Sequence, residues 1–358
     1  MIHTFTVRIR VCKDFYESFL SHSQTKMYKE SYQDYQTAKN ALLEEIGIVL
    51  YGHKYKVVLK RDINGDVLET GIMYVIDARV NPSKVIYREN AIDIYKPSDY
   101  ETFRERFNEE IKSFNLSFLP ELKDWKAYRV DFTYQIRTPY VKEYIRLFHK
   151  TDIRGFGLKR DKHGHASMKP GSLYICNSSV TLNFYDKQDE MRKAQGGTRH
   201  TPEEISKAKD ILRIEVQAGR DKLSGIKRKN EFTSKKITEF MTSEKAVEDV
   251  VTGYASRVLG DATYRKKTAA ITLIKRSGKR KATQEKLIAV LDEVGKPYSR
   301  VDKVREAHPE LEIDKCRSVL KKMDINIVTL NKNSKVAELP SVPALLREAI
   351  LEEKRVPR

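Results

Sequence analysis

Tyr128-Arg129-Val130-Asp131-Phe132-Thr133-Tyr134-Gln135 decides how the rest of the chain is read. Tyr128, Val130 and Phe132 face one way and Arg129, Asp131 and Thr133 the other, the period of a strand with one apolar face. The period then changes. Val141, Tyr144, Ile145 and Phe148 recur at i, i+3, i+4 and i+7, so a helix with one buried face follows. Two later strands repeat the first pattern. Val180–Tyr185 presents Thr181, Asn183 and Tyr185 on its polar side, and Ile211–Gln217 presents Arg213, Glu215 and Gln217. The expected class is α+β: an antiparallel-rich β-sheet core with flanking helices.

Working outward, Thr4–Val11 reads as a strand. Tyr35, Ala38, Leu42 and Ile46 form a helical stripe within Tyr32–Leu50. Tyr55–Arg61 and Val67–Ala78 form a hairpin turning at Asn64-Gly65, and Tyr100–Phe114 a helix. A second hairpin spans Gly155–Ile175, and the polar Glu190–Lys209 stretch reads as loop at Gly196-Gly197. Ser234 to Arg265 is mostly helical. In the tail, helices are expected over Thr283–Val294, after a Ser299 cap, and over Asp314–Met323, then Ile325–Leu330 and a polar Asn331–Lys335 turn. Two readings of this tail stand: a winged helix-turn-helix, or a plain helical tail packing on the core or pairing two copies. The resulting division is 1–120, an N-terminal α+β part; 121–220, the catalytic sheet; 221–281, a basic helical segment; and 282–358, the tail.

The 358 residues carry 68 Lys and Arg against 50 Asp and Glu, a net charge of +18. That excludes an acidic interaction protein and points to a polyanion. More than half of the surplus lies between Arg220 and Lys281, in the clusters Lys227-Arg228-Lys229, Lys235-Lys236, Arg265-Lys266-Lys267, Lys275-Arg276 and Lys279-Arg280-Lys281. Such clusters neutralise phosphates without reading sequence, so DNA is the expected partner and these residues its contacts. No basic helix carries a broad apolar face, so no membrane partner is expected. Cys12, Cys176 and Cys316 lie far apart, with neither metal-ligand nor disulfide spacing. They read as small buried thiols of a cytoplasmic protein.

If the three strands share one sheet, Asp131, Glu215, Asn183 and Tyr185 converge. Two carboxylates with further oxygen donors suit Mg²⁺ or Mn²⁺, and a tyrosine hydroxyl beside them can attack phosphorus. Ordinary packing for the tyrosine and a solvated face for the acids is the competing reading. His163-Gly164-His165 has the spacing of a His-x-His metal motif, but its central Gly and flanks read as a turn.

Taken together, Tyr128-Arg-Val-Asp131-Phe-Thr, Val180-Thr-Leu-Asn-Phe-Tyr185-Asp-Lys-Gln-Asp-Glu190 and Ile211-Leu-Arg-Ile-Glu215-Val resemble three ordered motifs of rolling-circle replication initiators. The branch is that of the trans-acting plasmid initiators and the filamentous-phage gene II and gene X proteins. Asn81-Pro82-Ser83-Lys84 is similar to a gene II/X pattern. The resemblance implies that Tyr185 is the nicking nucleophile, that Asp131 and Glu215 hold the metal with Glu190 as a further ligand, and that Lys187 stabilises phosphate charge. It implies nicking of one strand of origin DNA, a 5′-phosphotyrosyl link, and rejoining at the end of the round. Expected partners are origin DNA with an extruded or single-stranded nick site, a host helicase and polymerase, and a second copy of the chain, in a bacterium carrying the plasmid or phage. A conjugative relaxase, a non-catalytic regulator or partition factor, and a nuclease using water are the alternatives.

Overall fold

The N-terminal alternation becomes β1 (Ile2–Val11), whose Phe5 and Val7 are fully buried. The structure is a computed structural model. It describes residues 1–21, 25–29, 36–40, 45–61, 63–65, 67–88, 92–113, 116, 119–158, 169–194 and 200–355. The tip expected near His163-Gly164-His165 and the Gly196-Gly197 loop lie outside the described residues. Contacts divide the chain into two units, one of Met1–Thr133 with Gln217–Val247 and the other of Tyr134–Val216 with Glu248–Arg358.

In the first unit, β1 is followed by α1 (Lys13–Ser21), β2 (Thr25–Lys29), β3 (Gln36–Asn40), β4 (Ile48–Arg61), β5 (Val67–Val80), α2 (Pro82–Tyr87), α3 (Tyr100–Ser113) and β6 (Lys126–Arg137). The strands lie in the order β2-β3-β4-β5-β1-β6. The β4–β5 hairpin turns through Gly65, whose φ of +90° favours glycine. The helical stripe read over Tyr32–Leu50 is corrected. Ala38 sits in β3, paired with Met27 on β2 and Gly52 on β4. Gly47, at φ +91°, takes a conformation that no helix interior contains. Asn81-Pro82-Ser83-Lys84 starts α2. The Lys84 amide donates to Asn81 Oδ1 at 3.1 Å, capping α2, with Pro82 in its first turn. Ser83 Oγ accepts from the Tyr95 amide at 2.7 Å.

The apolar side of this sheet packs on α3 through Phe5, Phe103, Tyr95 and Phe107, with ring centroids 5.8–6.0 Å apart. The polar side carries a paired network. Arg8 on β1 lies opposite Asp77 on β5 and donates to both its oxygens at 2.7 Å. It also packs 3.9 Å from the Tyr128 ring centroid, while His53 lies 3.3 Å from Asp77. Burial pushes the Asp77 carboxyl up, but hydrogen bonds from Arg8 and His53 outweigh it and hold the group below its ordinary value. Removing one partner of a buried pair leaves the other charge uncompensated. Asp77→Asn is therefore expected to cost about 3 kcal/mol at neutral pH, read as a fall in the urea midpoint. Because the folded value is the lower one, this stabilisation is complete above about pH 4 and is lost as pH falls through the folded value. The Asn variant should lose that acid dependence.

The chain enters the second unit within β6 and continues as α4 (Val141–Phe148), β7 (Gly157–Leu158), β8 (Ser172–Cys176), β9 (Val180–Asp186), α5 (Lys187–Lys193), α6 (Pro202–Lys207) and β10 (Ile211–Gly219). The order here is β10-β9-β8-β7, with β8 and β9 antiparallel and Ser172 opposite Tyr185. Phe148 of α4 meets Phe184 of β9 edge to face at 5.5 Å, so α4 covers the apolar side. On either side of the Gly196-Gly197 position, most of the described residues of the polar Glu190–Lys209 stretch are helical. Thr201 and Glu204 form a reciprocal capping box around Pro202, which starts α6.

Back in the first unit lie α7 (Arg220–Lys229) and α8 (Ile237–Met241). Met241 O accepts from Tyr95 Oη at 3.2 Å. Then α9 (Glu244–Leu259) leads to β11 (Tyr264–Arg265), α10 (Lys267–Arg276), α11 (Lys281–Gly295), α12 (Val301–Ala307), α13 (Ile313–Lys322), β12 (Glu338–Leu339) and α14 (Val342–Arg355). Two details of the tail differ from expectation. Ser299 does not cap α12: its N-cap is Arg300, which donates to Asp302 at 2.6 and 2.7 Å. Ile325–Leu330 is not a strand; the ladder after α13 pairs β11 with β12, and Leu330 bridges Lys266. Of the cysteines, Cys316 is buried, Cys176 half-buried and Cys12 exposed, all as thiols. Beneath α12 and α13 the buried Asp152 accepts from Arg305 at 2.6 Å and from Arg317 at 3.4 Å.

Candidate active site

The Tyr185-Asp186-Lys187-x-x-Glu190 stretch is a strand end, a cap and a first helical turn. Asp186 Oδ1 accepts from the Asp189 amide at 3.2 Å, stopping β9 and starting α5. Lys187 and Glu190, three apart, then share one side of α5, and Lys187 Nζ donates to Glu190 Oε2 at 2.6 Å. On β10, Glu215 Oε1 accepts from Tyr185 Oη at 2.6 Å. The structure thus brings together Tyr185, Lys187, Glu190 and Glu215, all in the second unit. Asp131 belongs to the first, where Arg129 holds its carboxylate at 2.9 Å and Thr4 donates to it.

The polar sheet face is not solvated. Tyr185 is 6% exposed, Lys187 5%, Glu215 4% and Arg213 0%. Burial, reinforced by the Glu215 charge, pushes the Tyr185 phenol well above its ordinary value, against the pull of Arg213. Burial likewise raises the Glu215 carboxyl, against the Tyr185 hydrogen bond and the charges of Arg213 and Lys187. The Lys187 ammonium is lowered by burial and by Arg213, against Glu190. A buried hydroxyl, a carboxylate of raised basicity and an ammonium of raised acidity form one acid–base cluster.

The family described as the N-terminal part of the phage gene II replication-associated protein matches residues 1–238, two thirds of the chain. The chain belongs to this family, that of phage gene II-type rolling-circle replication initiators. No curated protein and no solved structure matches it. The initiator's matched segment contains β1 to β10 and so all of the Tyr185 cluster.

Arg213 is the site residue that sequence reading left without a role. It stands two residues before Glu215, on the same face of β10, and a fully buried guanidinium is a fixed positive charge. The signal was the Arg-x-Glu alternation within an apolar run. For a divalent cation, the donor chemistry of the initiator fits a hard ion. Glu215 offers carboxylate oxygen, and Asn183, on the same β9 face as Tyr185, has a buried Oδ1 with no hydrogen-bond partner among the described residues. No group of three or more His, Cys, Asp or Glu placed to hold a metal occurs among the described residues. An ion here would therefore take one or two protein oxygens and complete its shell with phosphate and water, as Mg²⁺ often does.

The basic run of the initiator is divided between the units. In the first, Lys227, Arg228 and Lys229 close α7, where cations meet the negative end of the helix dipole. Lys235 donates to Ser224 at 3.2 Å and Lys236 to Asp124 at 2.9 Å. In the second, Arg265 pairs with Asp324 at 3.0 Å and with Glu338, and Lys267 with Asp292 at 2.8 Å. Lys266 caps α10, Lys275 and Arg276 end it, and Lys279, Arg280 and Lys281 lead into α11. On α13, three basic residues are engaged within the second unit: Lys315 by Glu312, Arg317 by Asp152 and Lys321 by Asp261. No helix among the described residues is long and apolar enough to cross a membrane.

Proposed function

We propose that the chain nicks one strand of origin DNA with Tyr185 as the nucleophile and later reverses the transfer to rejoin it. The observation that supports this most is the 2.6 Å hydrogen bond from Tyr185 Oη to the buried Glu215 carboxylate. Glu215 takes the phenolic proton as Tyr185 Oη attacks phosphorus. The new bond is phenolic O–P and the broken bond is P–O3′. The leaving 3′ oxygen carries away the bonding pair and takes a proton from Lys187, whose ammonium burial has made more acidic. The products are a 5′-phosphotyrosyl enzyme and a free 3′-OH, which primes synthesis. Arg213 lies where its charge favours the phenolate. Attack requires the side chains covering Tyr185 to give way when DNA binds.

Mg²⁺ or Mn²⁺, held by Glu215 and Asn183 with phosphate oxygens, would neutralise charge developing on the phosphodiester. Removing divalent cations with EDTA is expected to suppress nicking of supercoiled origin DNA while duplex binding persists, as followed by gel mobility. Nicking undiminished in EDTA would remove the metal from this scheme. The reading as a whole is tested by incubating the protein with supercoiled origin DNA and Mg²⁺, then denaturing. Protein should remain covalently attached to the 5′ end of one nicked strand; nicked DNA without attached protein would point to water as nucleophile.

A further inference from the structure

Two cavities of the second unit join into one groove. The larger, of about 920 Å³, lies among the start of α10, the end of α4 and the Asn331–Lys335 loop. The smaller, of about 400 Å³, continues past Tyr140 to Asp186 and Gln188, where β9 passes into α5 directly after Tyr185. Both are lined by Arg146 and Lys335, which makes the groove continuous. The larger volume is that of a small-molecule pocket, but such pockets are mostly apolar. This one carries six Lys and Arg and a single carboxylate, Glu143.

Not all of these cations serve the fold. Lys150 donates to the Gly295 and Lys296 carbonyls at 3.0 and 2.9 Å, and Lys267 is held by Asp292. Arg146, Lys266, Lys332 and Lys335 have no ion-pair partner among the described residues, and three of them, Arg146, Lys332 and Lys335, are exposed. Unneutralised cations along a groove fit a chain of phosphates. Tyr140, 36% exposed, stands in the smaller cavity. An exposed ring in a cationic groove is a platform on which an unpaired base stacks; inside a duplex both faces of a base are already stacked on its neighbours.

We propose that this groove binds an unpaired stretch of DNA, its phosphates on Arg146, Lys266, Lys332 and Lys335 and a base on Tyr140, and leads the strand toward Tyr185. The direction of the strand rests on the reading of Tyr185 as nucleophile; the binding itself does not. The Asn331–Lys335 loop, read from sequence as the turn of a wing, thereby becomes one wall of a single-strand site.

The test uses the full chain, fluorescent oligo(dT) and a duplex of equal length, with anisotropy measured over a range of NaCl. The triple variant Arg146→Gln, Lys332→Gln, Lys335→Gln should weaken oligo(dT) binding about tenfold or more. It should also flatten the log–log salt slope by about 2, at roughly 0.7 per lost phosphate contact. Tyr140→Leu should weaken oligo(dT) binding about fivefold or more with the slope unchanged. Duplex affinity should fall less than oligo(dT) affinity in both. Unchanged oligo(dT) binding and slope in the triple variant, or an equal loss for duplex, overturns the proposal. Tyr185→Phe separates the strand path from the chemistry. If that variant still nicks while the groove variants lose oligo(dT), the nucleophile assignment fails and the groove stands.

Discussion

Tyr185→Phe is expected to abolish covalent attachment to origin DNA and to reduce nicking by at least about a thousandfold, since nucleophilic catalysis is lost outright. The phenylalanine ring keeps the shape of the tyrosine and removes only the oxygen that reaches Glu215 at 2.6 Å. It leaves the Glu215 carboxylate buried without that donor, so a stability cost of about 1–3 kcal/mol should accompany the loss. Thermal melting separates the two effects: a folded variant with normal duplex binding and no covalent product isolates the chemistry. Undiminished nicking by this variant would take Tyr185 out of the reaction.

The second large effect is at Glu215. A general base contributes about 10²–10⁴-fold, so Glu215→Gln should lower the single-turnover rate of attachment by that order. The pH dependence carries more information. Glu215 acts only as carboxylate, and burial raises its value above the ordinary carboxylate range. The wild-type rate should therefore rise with pH along a limb that follows Glu215 ionisation, displaced to lower pH by the bound cation, which favours the carboxylate, and the limb should vanish in the Gln variant. Tyr185 itself titrates well above pH 10, so its own ionisation gives no limb in the neutral range. A Gln variant that keeps the wild-type pH profile would assign proton removal elsewhere.

Strand periodicity made β1, β6, β9 and β10 legible, because each alternates over several residues and one face is plainly apolar. It also made Tyr185, Asn183 and Glu215 legible as residues of polar strand faces. Alternation could not reveal that the polar face was closed: β10 is buried on both sides from Ile211 to Val216. That closure turns Arg213 from a surface residue into a fixed charge beside Tyr185. Gln36–Asn40 misled because five residues fit either period, and pairing with β2 and β4 decided for strand. The helix α6 went unread in the polar Glu190–Lys209 stretch, although Thr201-Pro202-Glu203-Glu204 spells a capped helix start. The groove had no sequence signature at all. Arg146, Lys266 and Lys335 are far apart in the chain, and only packing of the second unit sets them around one cavity.

The charge of +18 divides accordingly. Part of the basic run serves helix ends and ion pairs within the units, as at Lys236 and Arg265. Lys266 from that run, with Arg146 on α4 and Lys332 and Lys335 from outside it, is left unneutralised along the groove. Around Tyr185 the two charges are interleaved, with Glu215 and Glu190 set against Arg213 and Lys187.

The central claim is that one tyrosine among 19 carries the DNA. It is tested most directly by trapping the covalent complex on origin DNA, digesting both components and locating the nucleotide-bearing peptide by mass spectrometry. The account predicts a phosphodiester adduct on Tyr185, within the peptide that runs into Asp186 and Lys187. An adduct on any other tyrosine, such as Tyr55 or Tyr128 beside Arg8, would contradict it.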